Sequence, residues 1–293
     1  MYQERKIKNS ELFQIILLNV LYSLSGSEKI YFQGGTALRW IYGGMRFSED
    51  LDFVTNLESE NLDRILKGVY QKAQNACIAQ FGPGLLELDN KKSRRQAVKA
   101  FFIYRPDLWR ERIAVKVEFE ILRETCKPDI QKIVFRDLGT ISAMIAEGKL
   151  IFPYSSSIVQ AETAEEILTD KIRAVFERTY LKGRDIYDIW YLRKKLNAKT
   201  TIERVKAKLR MYHAEFVPAR RADFFIKGIR AQLEIQEALE TDLPRFLPRH
   251  IYSVYQENKF QEFANALKEL SIELLEQGLK KLFNEYERRK DNL

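Results

Sequence analysis

Histidine and cysteine are almost missing from this chain. The two histidines, His213 and His250, lie outside every dense motif, so His-based triads, HExxH zinc sites and Cys/His zinc clusters have no material to form from. The two cysteines, Cys77 and Cys126, lack metal-type spacing and are expected as reduced thiols. Neither GxxxxGK[ST] nor GxGxxG occurs, which removes the two familiar glycine-rich phosphate loops. Long hydrophobic runs are also absent. The best candidate, LFQIILLNVL, is interrupted by Gln14 and Asn19 and is too short to span a bilayer. The charged start MYQERKIKNSE is followed by no cleavable apolar segment, so the expected location is the cytoplasm, with no membrane partner.

What is present suits a soluble protein with a sizeable core. The 293 residues leave room for two domains, and 45% hydrophobic with 31% charged residues is an ordinary globular composition. The net charge of +8 is unevenly spread. Residues 91–116, KKSRRQAVKAFFIYRPDLWRERIAVK, hold nine Lys or Arg against the two acids Asp107 and Glu111, nine minus two giving +7. Basic residues interleaved with Phe, Tyr and Trp form either a footprint for a polyanion or a solvated face whose apolar residues turn inward.

Periodicity divides the chain. Residues 11–25 have helical spacing and stop at Gly26; KIYFQ reads as a buried strand ending at Gly34; a short helix over 36–42 closes at Gly43 and Gly44. SEDLDFVT alternates like a strand, residues 59–79 like a helix, and LLELDN, AVKAFFIY and RIAVKVEFEIL like further strands, with another near IVFRDL. Beyond the loop at 153–157 the pattern is almost wholly helical, with helices expected at 162–179, 184–195, 200–211, 222–240 and a long last one over 257–290. The expected fold class is α+β: a mixed sheet flanked by helices over residues 1–158, then a helical domain over 159–293.

Carboxylate, lysine and glycine chemistry remains. Asp50 and Asp52 alternate with Leu51 and Phe53, so both carboxylates project from one strand face. That pair suits a hard cation that takes oxygen ligands and shares them with phosphates, or simply a polar sheet face. Lys116, Glu118 and Glu120 share a face in VKVEFEIL, and a third acid there would allow two ions. Gly34 and Gly35 stand between a strand and a helix. Their N–H groups can approach a phosphate closely, with Thr36 as cap or further donor, or they serve only the turn.

These residues carry a resemblance. GGTALRWIYGGMRFSEDLDF is similar to the first motif of the AbiEii/AbiGii toxin group among the DNA polymerase β-like nucleotidyltransferases, matched by Gly34, Gly35, Thr36, Arg46, Ser48, Asp50 and Asp52. The second motif maps to Glu118, with Glu120 as the alternative, where the family often has Asp. A third, D-x4-K-x2-A, is met by Glu166, Lys171 and Ala174, again with Glu for Asp. The fourth, a basic residue followed by R/K-D-x2-D, is met by Arg178, Arg184, Asp185 and Asp188. The matches span about residues 28–192 in order.

The resemblance implies a nucleotidyltransferase that moves an NMP from an NTP and releases pyrophosphate. Asp50, Asp52 and Glu118 would hold Mg²⁺ or Mn²⁺. Catalytic roles would fall to Asp50, Asp52, Glu118, Lys171 and Asp185. Nucleotide would be bound by Gly34, Gly35, Thr36, Arg46, Ser48, Lys171, Arg178, Arg184 and Asp188. A toxin of a toxin–antitoxin or phage-defence pair is also implied, with an antitoxin partner and tRNA 3′ ends as acceptor. Segment 91–116 and Arg220, Arg221, Arg245 and Arg249 are the expected RNA contacts. A protein or small-molecule acceptor, or a nucleotide binder without turnover, remain alternatives.

Overall fold

Helix α1 (Tyr2–Tyr22) is buried continuously from Leu12 to Tyr22. A helix apolar on every side must be covered on every side. It packs on α3 (Ser59–Phe81) and on strand β5 (Ile113–Ile121). The two polar residues that interrupt its run are each spent on a loop carbonyl. Gln14 Nε2 donates to the Ser48 carbonyl at 2.7 Å, and Asn19 Nδ2 to that of Pro153 at 3.2 Å. The computed structural model describes residues 2–90, 96–108, 110–154 and 156–290. These fall into two compact units that divide between Glu162 and Thr163.

The first unit is built on a seven-stranded mixed sheet. Its remaining strands are β1 (Ile30–Gln33), β2 (Asp50–Thr55), β3 (Gly84–Asn90), β4 (Ala97–Pro106), β6 (Ile130–Val134) and β7 (Ile158–Glu162). Their order across the sheet is β3-β4-β5-β2-β1-β7-β6. Strand β2 runs antiparallel to β1 and parallel to β5. Period-2 alternation puts Leu51 and Phe53 into the core, where the Phe53 ring lies 5.3 Å from Phe32 and 5.2 Å from Phe119. Asp50 and Asp52 take the opposite face, as the sequence pattern requires.

Strand β7 departs from the sequence reading, which begins the helical region there. Its IVQAE pattern offers little alternation because Gln160 and Glu162 are buried along with Val159 and Ala161. The strand is interior, paired with β6 on one side and β1 on the other, and Gln160 Nε2 donates to the Glu28 carbonyl at 2.7 Å. A short helix α4 (Gly139–Ala146) follows β6. Between β1 and β2, helix α2 (Gly34–Trp40) begins two residues before the expected start.

The second unit is helical: α5 (Ala164–Glu177), α6 (Gly183–Trp190), α7 (Ile202–Met211), α8 (Ile229–Phe246), α9 (Arg249–Glu257), α10 (Gln261–Glu276) and α11 (Leu279–Lys290). Helix α6 packs on α5, α8 and α10. Its Trp190 meets Phe263 at 4.8 Å, and Phe263 meets Tyr255 at 4.6 Å, closing an aromatic cluster. The expected single helix over 257–290 is two helices broken at Gly278, and the helix expected at 222–240 starts only after Gly228.

Truncating Phe53 to Ala should cost about 3–5 kcal/mol in urea unfolding, as for other large buried aromatics. Leu85→Ala on the edge strand, 57% exposed, should stay within about 0.5 kcal/mol of wild type.

Candidate active site

The first cluster is set by strand pairing. In the parallel register of β2 with β5, Asp50 stands beside Lys116 and Asp52 beside Glu118. Side chains therefore meet two by two on the polar face. Lys116 Nζ lies 2.9 Å from Asp50 Oδ2 and 3.1 Å from Glu118 Oε2, and Lys99 Nζ lies 2.7 Å from Glu118 Oε1. Strand β4 delivers Lys99 because its register sets that residue opposite Glu118. Partial burial opposes charge on Glu118, yet hydrogen bonds from Lys99 and the Lys116 charge hold its carboxyl below the ordinary range. Burial likewise disfavours the Lys116 ammonium, but Asp50 and Glu118 outweigh it and raise its pKa. Glu120, the alternative to Glu118, lies one pleat further along, beside Val54.

The glycine turn packs onto the same place. Gly34 has φ +75°, and a Cβ there would stand 3.0 Å from Asp52 Oδ2, so only glycine leaves that carboxylate its position. Behind it, a Cβ on Gly35 would fall 1.9 Å from a terminal nitrogen of Arg46. That guanidinium is buried and donates to the Phe47 carbonyl at 2.9 Å. Arg46 therefore braces the turn from inside. Thr36 is fully buried, and its hydroxyl donates to the Asp50 carbonyl, tying α2 to the start of β2. Ser48 is half-buried. Its carbonyl is held by Gln14, whose Oε1 accepts from Trp40 Nε1 at 3.2 Å. Sequence reasoning gave no structural role to Gln14 and took Lys99 only as part of the basic segment expected to contact RNA, because their partners are far away in the chain.

The donor set on this face suits a divalent cation in part. Asp50 and Asp52 share a face, and the missing Cβ of Gly34 leaves Asp52 room beside the turn. Two carboxylates completed by phosphate oxygens are a usual Mg²⁺ arrangement, so the pair fits. Glu118, expected as the third ligand, instead spends one oxygen on Lys99 and the other on Lys116. Among the described residues, no three His, Cys, Asp or Glu gather as a ready-made metal cage.

The second cluster lies in the helical unit. Lys171 on α5 is 2.9 Å from Asp185 Oδ1 and 2.8 Å from Asp188 Oδ2, both on α6 and both almost fully buried. Arg178 pairs with the other oxygen of Asp185. Burial would raise the Asp185 pKa, but the charges of Lys171 and Arg178 override it and hold the carboxyl far below the ordinary range. Arg178 sits one residue past the end of α5 in extended backbone, so it does not continue the helical face of Lys171. Arg184 leans over the Phe246 ring at 5.3 Å and reaches Asp185 only through its charge.

Two expected residues do other work. Glu166 sits on the side of α5 facing α7, where Lys208 Nζ lies 3.0 Å from it and Arg204 3.4 Å. Lys208 also bridges to Asp170 at 2.9 Å and is wholly buried, so this is a structural ion cluster separate from Lys171. Arg220, expected among the RNA contacts, is buried and faces the protein. Its guanidinium donates to the carbonyls of Val175, Arg178 and Thr179 at the end of α5 and reaches Glu234 at 3.3 Å. It thereby satisfies one last-turn carbonyl of that helix, that of Val175, and ties down the backbone that carries Arg178. Arg221, Arg245 and Arg249 are exposed. In segment 91–116, Lys99 and Lys116 are paired as above and Arg105 pairs with Glu87 at 2.7 Å; residues 91–95 and Trp109 lie outside the described residues.

Lys171→Met leaves Asp188 without that ammonium and Asp185 with only part of its compensation, and should cost about 3–5 kcal/mol in urea unfolding. Because the folded Asp185 pKa is depressed, its contribution is full above the ordinary carboxyl value of about 4 and is lost as pH falls below it. Acid titration of stability should therefore be flatter below pH 4 for Asp185→Asn than for wild type, from a lower starting value.

The fold of the whole chain is shared with solved proteins. The crystal structure of JHP933 from Helicobacter pylori matches with a TM-score of 0.54 and 18% identity over 99% of this chain and 97% of that one. A second crystal structure from H. pylori, provisionally described as that of a nucleotidyltransferase, matches with a TM-score of 0.52 and 18% identity over 96% and 97%. No curated protein matches the sequence. Residues 16–273 match the family described as nucleotidyl transferase AbiEii toxin, type IV TA system, and the chain belongs to that family of toxin–antitoxin nucleotidyltransferases.

Proposed function

We propose that this protein transfers an NMP from an NTP to the 3′ end of a tRNA, as the toxin of a toxin–antitoxin or phage-defence pair whose antitoxin restrains it. The observation that carries the reading is the β2–β5 register, which sets Asp50 beside Lys116 and Asp52 beside Glu118, with Asp52 against the Gly34 turn. An acceptor hydroxyl attacks the α-phosphorus, the bond from that phosphorus to the pyrophosphate oxygen breaks, and the hydroxyl proton passes to the Asp50–Asp52 carboxylate pair. Asp50 and Asp52 would hold the divalent cation, Mg²⁺ or Mn²⁺, which supplies charge neutralisation at the phosphoryl group. The Gly34–Thr36 turn faces the triphosphate, with Arg46 and the Gln14–Ser48 contact keeping its shape. Lys99 and Lys116 keep Glu118 ionised and add fixed positive charge for a polyphosphate. Within the helical unit by itself, Asp185 and Asp188 hold Lys171 in place and Asp185 also pairs with the partly exposed Arg178, a cationic group with Arg184 nearby that suits an anionic ligand.

Exposed Arg110, Arg112, Arg221, Arg245 and Arg249 are assigned to the RNA backbone. One observation bears on a second reading, a protein or small-molecule acceptor: Lys99, Arg105 and Lys116 each already have a carboxylate partner within the sheet, which leaves fewer unpaired cations for RNA phosphates in that segment.

Label transfer from each α-³²P NTP with Mg²⁺ to total RNA and to protein separates the readings. A labelled tRNA-sized band, reduced at least about a hundredfold in Asp52→Ala, is the expected result. Label on protein alone would move the assignment to a protein acceptor. No label on either, with NTP still bound, would leave a small-molecule acceptor or a binder. RNA affinity should fall steeply with salt if the arginines contact phosphates.

A further inference from the structure

A lysine already occupies part of the coordination space that the acidic face offers. Lys116 bridges Asp50 Oδ2 and Glu118 Oε2 at 2.9 and 3.1 Å, and it does so from the strand position paired with Asp50 itself. We infer that Lys116 is the resident counter-cation of this site, so that the site takes its divalent cation as a metal–polyphosphate complex rather than as the free ion. The inference rests on the nucleotide reading of the same residues, but its metal-binding half stands without it.

The charges decide the matter. Asp50, Asp52 and Glu118 bring three negative charges to the face, and Lys116 with Lys99 brings two positive ones. A divalent ion joining Asp50 would lie within a few ångströms of an ammonium that the strand register does not let go far. At that separation, like-charge repulsion opposes binding of the free ion, even in a half-solvated setting. Displacing Lys116 outright would instead strip Glu118 of one of its two lysine partners. A triphosphate changes the balance, since it gives Lys116 an alternative anion while supplying the cation with further oxygen ligands. Lysine suits this exchange: it is a compact point charge on a flexible four-carbon stem, and here a quarter of the side chain is open to solvent. The helical unit uses the same device in Lys171, but buried and with both carboxylates on one helix, which makes that pair a fixed element.

The test is Mn²⁺ binding to the full chain, read from the EPR signal of free Mn²⁺, with and without a non-hydrolysable NTP analogue. Wild type should bind Mn²⁺ weakly alone and about tenfold or more tightly with the analogue. Lys116→Met should bind Mn²⁺ alone about tenfold or more tightly than wild type, and Lys116→Arg should behave as wild type. Adding Asp52→Ala to Lys116→Met should remove the gain, which places the ion on this face. Lys116→Gln replaces the Met variant if that form does not fold. A Lys116→Met (or Lys116→Gln) affinity equal to or weaker than wild type, or a gain that survives Asp52→Ala, would overturn the inference. If the Met variant gains affinity but no analogue binds to any form, the counter-cation stands and the nucleotidyltransferase reading fails instead.

Discussion

The parallel pairing of β2 with β5 is the constraint on which the first unit depends. It sets Phe53 against Phe119 on one face of the sheet while it sets Asp50 beside Lys116 and Asp52 beside Glu118 on the other. Side chains alternate with a period of two, so a slip by one residue would turn the aromatic stack outward and carry the carboxylates into the core. The hydrophobic packing of Phe32, Phe53 and Phe119 therefore fixes the chemistry on the far face without touching it. Core and site are two readings of one register.

Each of three charged clusters carries cations supplied by the protein itself. Lys99 and Lys116 answer Glu118 and Asp50; Lys171 and Arg178 answer Asp185 and Asp188; Lys208 and Arg204 answer Glu166 and Asp170. A buried carboxylate without a cation is costly, and Lys171 and Lys208 are buried beside the carboxylates they neutralise. The degree of burial then separates the clusters by function. Lys208 is sealed and holds two helices together, whereas Lys116 keeps contact with solvent and can exchange one anion for another.

Much of this was legible in the sequence because it was local. The D-L-D alternation, the V-K-V-E-F-E-I alternation and the glycine pair each announce their faces within a few residues, and the structure keeps those faces. What stayed hidden depends on distant partners. Strand β7 carries buried Gln160 and Glu162 where a strand signal needs apolar residues. Arg220 looks like any surface arginine until the end of α5 arrives beside it, and Glu166 fits a motif position while its carboxylate faces α7. The lysine partners of Glu118 come from the β4–β5 register, which no local pattern encodes.

The most direct test of the account is an anomalous-scattering map of the protein crystallised with Mn²⁺ and a non-hydrolysable NTP analogue. A manganese peak shared by the Asp50 and Asp52 carboxylates is expected, with triphosphate oxygens at the Gly34 turn and Lys116 Nζ turned toward phosphate. A manganese peak away from both aspartates, or a triphosphate bound with Lys116 still bridging Asp50 and Glu118, would contradict it.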